Sequence, residues 1–203
     1  DGSGRATQLD LLETWLRVEG YGVVRTSWNS SKLVAKTIAE ARRQRTLTAR
    51  TYSILHAIDM AERQETEVIP ALRGGYVVLA HRYVCTAFAR DLARGVDSDW
   101  ILNLYRFAVR PDLSIYLRID AETSISQVMG IAGEATIAEA DERAGVRGQL
   151  GTFFQFQERV IAESESLFPP FDMVPRNPRE PIRRQQLELR RIVGGMLERM
   201  DRP

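Results

Sequence analysis

The first residues of the chain read "DGSGRAT" and run directly into a segment with helical periodicity. A glycine-rich turn at the start of a helix presents backbone N–H groups that can bind an anion such as a phosphate. Phosphate loops that act on nucleotides normally add a lysine, which reaches the phosphates, and a hydroxyl residue, which holds Mg²⁺. The residues of this candidate nucleotide-binding loop are Gly2, Ser3, Gly4, Arg5, Ala6 and Thr7.

Two of these positions depart from that chemistry. Arg5 stands where the lysine is expected, and Ala6 stands where the hydroxyl is expected. A guanidinium is larger and forked, so it does not simply replace an ammonium at a tight phosphate site. Thr7 does not obviously supply the missing hydroxyl, because one residue along a helix turns the side chain by about 100°. The loop therefore predicts anion binding with incomplete chemistry for phosphoryl transfer.

Composition excludes several other classes of protein. The 203 residues carry 28 Lys and Arg against 27 Asp and Glu, so the net charge of +1 gives no reason to expect nucleic acid or membrane binding. No apolar run approaches the roughly 20 residues of a membrane helix. His56, His81 and Cys85 do not make a zinc site, and we predict no metal ligands. A single cysteine fits a reducing compartment, and we expect a cytoplasmic protein.

The elements that must position the loop alternate between helix and strand. Periodicity, caps and glycines predict helices at 7–19, 29–44, 47–75 with a break near Glu65, 83–95, 97–109, 122–130, 148–168 and 181–200. Apolar runs predict strands at 22–26, 76–81, 112–120 and 171–177, of which 76–81 is the most convincing buried strand. This order predicts an α/β fold with a parallel sheet covered on both faces, in a single domain over residues 1–203.

Four motifs, in order along nearly the whole chain, resemble the thymidylate kinase family. They are "DGSGRATQLDLLETWL…EGYGVV", "LHAIDMAERQETEVIPAL", "GGYVVLAHRYVCTAFARD" and "RPDLSIYLRIDAETSISQV". The resemblance implies a three-layer P-loop nucleoside-monophosphate kinase fold with a five-stranded parallel sheet of order 2-3-1-4-5. It also implies ATP and Mg²⁺ as cofactors, transfer of the γ-phosphoryl group to dTMP, and a homodimer.

The loop normally follows a buried strand, and nothing precedes Asp1 in the sequence. We therefore expect a further strand upstream, as part of a longer protein. In the order implied by the resemblance, it would be the central strand of the sheet.

The resemblance also assigns the acceptor side of the site, where further departures occur. His81 replaces the aspartate of the family's "DRY", whereas Arg82 and Tyr83 are retained and would bind the acceptor phosphate. The family's thymine pocket uses a phenylalanine and an arginine, and His56 and Met60 stand in their places. His56 could stack on a base, but Met60 cannot donate a hydrogen bond to a carbonyl. Plain hydrogen bonding or packing explains these residues about as well.

The segment corresponding to the family's lid is acidic. Residues 129–148 contain four acidic residues, with Arg143 and Arg147 as the only cations, so the lid would repel a polyphosphate. The resemblance also keeps an acidic or polar residue after the "YL" of the third predicted strand, so Asp120 is expected near the site.

Two hypotheses follow from these residues. The first is a nucleotide-binding pseudokinase that acts as a sensor, a dimerisation unit or a scaffold, because transfer depends on charge neutralisation that this chain has altered at several places. The alternative is an active, divergent kinase of dTMP or a related monophosphate, in which Arg5 replaces the lysine and Arg82 binds the acceptor. The catalytic candidates are Arg5 and Arg82.

Overall fold

A computed structural model describes residues 4–44, 47–120, 122–123 and 150–200. The first half of the chain contains α1 (Arg5–Val18), β1 (Val23–Ser27), α2 (Ala35–Gln44), α3 (Ala49–Arg63), a π-helical turn (Gln64–Val68), α4 (Ile69–Arg73) and β2 (Val77–His81). The second half contains α5 (Val84–Ala93), α6 (Ser98–Leu104), β3 (Ser114–Leu117), α7 (Leu150–Ser166), β4 (Met173–Arg176) and α8 (Ile182–Met200). All four predicted strands are confirmed.

The strands form two parallel pairs within these described residues. β1 pairs with β2 in a register that places Val23 opposite Val77 and Ser27 opposite His81. β3 pairs with β4, with Ser114 opposite Met173. If a first strand precedes the loop, these are strands 2 and 3 and strands 4 and 5, the two outer pairs of the predicted order. The central strand of that order stays a prediction.

Helices cover both faces of the β1–β2 pair. On one face, α1 and α8 pack through a cluster of buried side chains: Leu12, Leu16, Val23, Val193 and Leu197. Thr26 points from β1 to the other face, where its hydroxyl accepts a hydrogen bond from Arg63 of α3 at 3.0 Å. Since successive side chains of a strand alternate in direction, this arrangement is the layered packing that the sequence predicts.

A second apolar cluster lies among α3, α5, α6 and the end of α7. Its buried members are Ala57, Met60, Val84, Ala87, Phe88, Ala89, Val96, Ile101, Tyr105 and Leu167, and Cys85 packs against them. Burial raises the pKa of the Cys85 thiol to about 11, because the charged thiolate is poorly solvated there.

The prediction that β2 is a buried strand is wrong in detail, since every residue of Val77–His81 is only partly buried. Among the described residues, β2 has a strand partner on one edge alone. β1 also departs from a fully buried strand. Its Arg25 reaches the polar surface of α1, where its guanidinium donates to Asp10 at 2.5 Å and to Glu13 at 3.4 Å.

Some helix boundaries differ from the sequence prediction. α2 begins at Ala35 rather than at residue 29, and Asn29 lies well before the helix in a left-handed conformation with φ 61°. Asp97 caps α6 as predicted, accepting the backbone N–H of Trp100 at 2.9 Å, but the helix ends at Leu104. The break predicted near Glu65 is confirmed as the π-helical turn. Within the described ranges, no helix is long and apolar enough to cross a membrane.

Candidate functional site

The start of α1 lies at the carboxyl ends of β1 and β2, which is where parallel α/β sheets bind ligands. Gly4 precedes the helix in a left-handed conformation, with φ 71° and ψ 13°. A side chain at this position would be strained, so the glycine is needed for the turn itself. The backbone N–H of Gln8 donates to the carbonyl of Gly4 at 3.2 Å and closes the first turn. Gly2 and Ser3 lie outside the described residues.

Ala6 and Thr7 are exposed in the first turn of α1. Neither side chain is needed for packing, so the structure gives no packing reason for an alanine at the position of the expected hydroxyl. The described part of the loop therefore has the left-handed glycine and the helix N-terminus of an anion-binding turn and lacks the hydroxyl at that position.

The side chain of Arg5 is partly buried and interacts electrostatically with residues of α5 and β3. Burial and the neighbouring cation Arg90 of α5 lower the pKa of Arg5 to about 10, while Tyr116 of β3 raises it. The cation of the loop is therefore placed among interior groups of α5 and β3, at the end of β2.

His81, the last residue of β2, belongs to the same group of side chains. Burial lowers its pKa, the positive charges of Arg5 and Arg25 lower it further, and Asp10 raises it. A neutral imidazole at this place cannot supply the negative charge of the family's aspartate. The two most altered positions of the sequence, Arg5 and His81, are thus neighbours in space.

These residues do not form a site that suits Mg²⁺. The ion prefers oxygen ligands, usually carboxylates and waters, beside the phosphates of the substrate. Within the part of the chain that the structure describes, no three His, Cys, Asp or Glu side chains are grouped to hold a metal. Ala6 lacks the hydroxyl, and His81 lies beside the cations Arg5 and Arg25. The donor set that the family uses for Mg²⁺ is not reproduced by the described side chains.

Arg82 and Tyr83 follow β2. Arg82 is distinguished by its backbone conformation and Tyr83 by the hydrogen bonds of its hydroxyl. Arg82 is partly buried and has a left-handed backbone, with φ 66°. The hydroxyl of Tyr83 accepts a hydrogen bond from Gln64 at 2.5 Å and donates to the carbonyl of Val109 at 2.8 Å. Tyr83 therefore ties the π-helical turn to the loop after α6. Of the two residues, Arg82 is the one whose backbone strain marks a candidate ligand contact.

The two residues predicted for the base pocket are buried. Met60 is 0% exposed within the second apolar cluster, and His56 is 4% exposed. The His56 ring lies 4.7 Å from the ring of Trp28, centroid to centroid. Trp28 covers His56 and is itself only partly buried. Of the two rings, that of Trp28 is therefore the more accessible, and it was not predicted from the sequence.

The segment around Trp28 is held from α3 by a buried ion pair. Asp59 and Arg63 are both 1% exposed in their side chains and lie 3.0 Å apart. The carboxylate of Asp59 also accepts the backbone N–H groups of Asn29 at 3.1 Å and of Ser31 at 2.9 Å. In the sequence, Asp59 and Arg63 are an acid and a base four residues apart on one helix. Pairs with this spacing usually face solvent, so the sequence did not mark this pair as buried.

Asp120 does follow β3, and its carboxylate is bound by Thr123 nearby in sequence and by Arg179 beyond β4. Its carboxylate accepts the backbone N–H of Thr123 at 2.8 Å and the hydroxyl of Thr123 at 2.9 Å, which holds its pKa below the usual range. Arg179 also binds this carboxylate. Arg143 and Arg147, like the rest of the predicted lid, lie outside the described residues.

A surface pocket of about 380 Å³ lies at the amino ends of β3 and β4, lined by Arg110, Pro111, Asp112, Ser114, Phe171 and Asp172. Arg110 and Asp172 form an exposed ion pair at its rim, 2.6 Å apart. Because ligands of parallel sheets bind at the carboxyl ends of the strands, the pocket is at the wrong edge for the site described above.

The glycine turn before α1 and the parallel strands that end beside it define a class, the α/β proteins that bind nucleotides through a P-loop. Comparison with known proteins narrows the class. The family model described as thymidylate kinase matches residues 1–164. The chain belongs to the thymidylate kinase family, whose fold is that of the P-loop nucleoside-monophosphate kinases.

Curated relatives agree with this assignment. "Probable thymidylate kinase 2" of Saccharolobus solfataricus is 33% identical over 207 residues, covering 98% of this chain and 93% of the relative. "Probable thymidylate kinase" of Thermococcus gammatolerans is 34% identical over 139 residues, covering 64% and 67%. "Thymidylate kinase" of a Geobacillus species is 30% identical over 135 residues, covering 63% and 64%.

Proposed function

We propose that this chain is a thymidylate-kinase-like domain that binds nucleotides and transfers phosphoryl groups weakly or not at all. The observation that carries the proposal is the place of Arg5, whose partly buried side chain lies near Arg90 of α5 and Tyr116 of β3. Its guanidinium is larger than an ammonium and forked, so it does not simply replace the lysine that normally serves phosphoryl transfer. Transfer of this kind depends almost wholly on positioning and charge.

Two further residues support reduced transfer. Ala6 removes the hydroxyl expected to hold Mg²⁺, and His81 replaces a carboxylate. Loss of one preorganised electrostatic group typically costs about 10²–10³ in rate. Such losses need not add, but several together at one site leave little activity. Binding should be less affected, since the left-handed Gly4 and the first turn of α1 support an anion site at the start of the helix.

The second candidate is an active kinase that transfers the γ-phosphoryl group of ATP to dTMP or a related monophosphate, with Mg²⁺. It is favoured by the similarity to "Probable thymidylate kinase 2", which extends over 98% of this chain. In this case Arg5 neutralises charge from its interior position, and Arg82 binds the acceptor phosphate.

Nucleotide binding is tested first, by thermal unfolding with ATP, ADP, dTMP and other monophosphates, each with and without Mg²⁺. A ligand at about 100 times its Kd stabilises the folded state by about 2.7 kcal/mol, which is easily measured. Stabilisation by nucleotides without measurable turnover supports the first candidate. If none of the nucleotides raises the unfolding temperature, both candidate functions are overturned.

Transfer is tested by restoring the loop as Arg5→Lys with Ala6→Ser. Under the first proposal, ATP- and monophosphate-dependent ADP formation is near background in the unaltered chain, and the double variant raises it. The matched control is Arg43→Lys with Ala39→Ser, which makes the same chemical changes at exposed positions of α2. Turnover in the unaltered chain comparable to that of an active kinase selects the second candidate.

We also propose a sheet of order 2-3-1-4-5, in which a first strand on the amino-terminal side of the loop lies between β2 and β3. The parallel pairing of β1 with β2 and of β3 with β4 supports this order. We further propose one domain over residues 1–203 and a homodimer. The exposed apolar side chains Ile54 and Ile58 of α3 support the dimer.

A further inference from the structure

The segment 28–31, here called the Trp28 loop, is attached to α3 by a set of buried hydrogen bonds. Asp59 accepts the backbone N–H groups of Asn29 and Ser31, and the Nε of Arg63 donates to the same carboxylate at 3.0 Å. The Nη1 of Arg63 donates to the hydroxyl of Thr26 at 3.0 Å. One carboxylate and one guanidinium of α3 thus fix the end of β1 and the loop that follows it.

The loop in turn fixes Trp28 at the candidate site. The backbone N–H of Trp28 donates to the carbonyl of His81 at 3.2 Å, which continues the β1–β2 pairing by one residue. Its ring packs against His56 with an interplanar angle of 38°. Asn29, the next residue, is held in a left-handed conformation that asparagine tolerates better than most residues. Trp28 therefore lies next to the end of β2, close to Arg82.

This set of contacts is not optimised for stability alone. The Nη2 atom of Arg63 and the Oδ1 atom of Asn29 are buried and have no hydrogen-bond partner among the residues that the structure describes. A buried guanidinium donor and a buried amide acceptor that stay unsatisfied both cost free energy, and in native proteins such groups call for an explanation. A left-handed asparagine adds strain at the same place. Strain and unsatisfied groups of this kind concentrate at ligand sites.

We propose that Asp59 and Arg63 are positioning residues that hold the Trp28 loop to receive the base of an acceptor nucleoside monophosphate. This inference rests on the proposed nucleotide binding and does not require turnover. Trp28, and not His56, is then the aromatic surface that the base meets. The α3 pair acts through the loop and does not itself touch the nucleotide.

The test uses a parent variant with Trp15→Phe and Trp100→Phe, in which Trp28 is the only one of the three tryptophans left. Its fluorescence is titrated with dTMP and, in separate titrations, with the other nucleoside monophosphates. The parent should bind one monophosphate with a change in Trp28 emission. Asp59→Asn in this parent should raise the Kd about tenfold or more, equivalent to about 1.4 kcal/mol, and shift the emission of Trp28 without ligand.

Asp91→Asn is the matched control. Asp91 is another buried aspartate, 1% exposed, paired with an arginine at 3.2 Å, but within the described part of the chain none of its hydrogen bonds reaches the Trp28 loop. Asp91→Asn should leave the Kd and the Trp28 emission within about twofold of the parent.

Thr26→Val provides a milder variant if Asp59→Asn fails to fold, since it removes only one partner of Arg63. It should weaken binding in the same direction.

The outcomes separate the two proposals. If the parent binds no monophosphate, by fluorescence or by thermal shift, the proposed nucleotide binding fails and this inference fails with it. If the parent binds a monophosphate but Trp28 emission does not respond, only the inference is overturned. The same holds if Asp59→Asn and Asp91→Asn change the Kd equally, or if neither Asp59→Asn nor Thr26→Val changes it.

Discussion

At the scale of single residues, the chemistry of this chain differs from that of the family mainly at two neighbouring positions. Arg5 and His81 are far apart in sequence, yet they lie close enough in space for the charge of Arg5 to lower the pKa of His81. An aspartate in place of His81 would form an ion pair with the loop cation, whereas the histidine stays neutral beside it. The replacement therefore changes the charge at the end of β2 by one unit at neutral pH.

His81 gives a prediction for the pH dependence of stability. Its pKa in the folded state lies below the usual 6.5, so the unfolded state binds the proton more readily. Stability should therefore be lost as the pH falls below about 6.5 and through the folded pKa. His81→Gln should reduce this loss. Urea unfolding of both proteins at pH 7.5 and pH 5.5 measures the loss of stability. His56 is unchanged in both proteins, so the difference between them reports on His81. Equal losses in the two proteins would contradict the prediction.

Tyr83 gives a second prediction at this scale. Tyr83→Phe removes the hydroxyl that joins Gln64 to Val109 and leaves the buried side chain of Gln64, 2% exposed, without that partner. The free energy of unfolding should fall by about 1–3 kcal/mol. Tyr76→Phe is the control, because Tyr76 is 48% exposed and should change stability by less than about 0.5 kcal/mol. Chemical denaturation measures both, and similar values for the two variants would overturn the role of the Tyr83 hydroxyl.

At the scale of elements, α1 is positioned by buried amides that join it to α8. The side-chain Nε2 of Gln8 donates to Gln185 at 2.9 Å, and the Nε2 of Gln186 donates to the backbone carbonyl of Gln8 at 3.0 Å. Gln185 continues the chain of hydrogen bonds to the carbonyl of Pro178 at 3.0 Å. The first turn of the candidate loop is therefore fixed to the segment that follows β4.

Breaking this connection should cost stability. Gln186→Leu leaves the buried carbonyl and side-chain oxygen of Gln8 without the donor that serves both, and should destabilise the protein by about 1–3 kcal/mol. Gln155→Leu makes the same replacement at an exposed position of α7 and should be nearly neutral. Thermal or urea unfolding compares them. A nearly neutral effect of Gln186→Leu would show that the amides do not hold α1.

Regular elements of this fold are predictable from sequence, whereas the site is only partly so. The parallel strands follow from apolar runs such as "YVVLAH", and the cap at Asp97 follows from its side chain. The Asp59–Arg63 pair could not be identified as buried, because burial depends on what α3 packs against. Trp28 was missed for the same reason. It lies among polar residues in "SWNSS", and only the tertiary contact with His56 gives it a role.

At the scale of the whole molecule, α3 has two different faces. Its inner face carries Met60 and the Asp59–Arg63 pair, both buried. Its outer face exposes Ile54 and Ile58, which are 43% and 40% exposed and lie one helical turn apart. The same helix holds the Trp28 loop. A dimer interface on this apolar stripe would therefore be connected to the candidate site through α3.

This arrangement predicts that α3 forms the proposed homodimer. Ile54→Asp with Ile58→Asp should convert a dimer to a monomer, because two charges would be buried without partners in the interface. Leu102→Asp is the control, since Leu102 of α6 is similarly apolar and 51% exposed. Sedimentation equilibrium gives the mass of each. An unaltered chain that sediments as a monomer, or a control that also dissociates, contradicts the prediction.

The burial of Cys85 has a practical consequence for such measurements. With a pKa of about 11, only about one thiol in ten thousand is ionised at pH 7, and the thiolate is the form that reacts with maleimides. Because Cys85 is the only cysteine of the sequence, a new cysteine introduced on the surface would be labelled selectively without removing the native one. A dye or spin label at that cysteine could then report on the Trp28 loop in the otherwise unaltered chain.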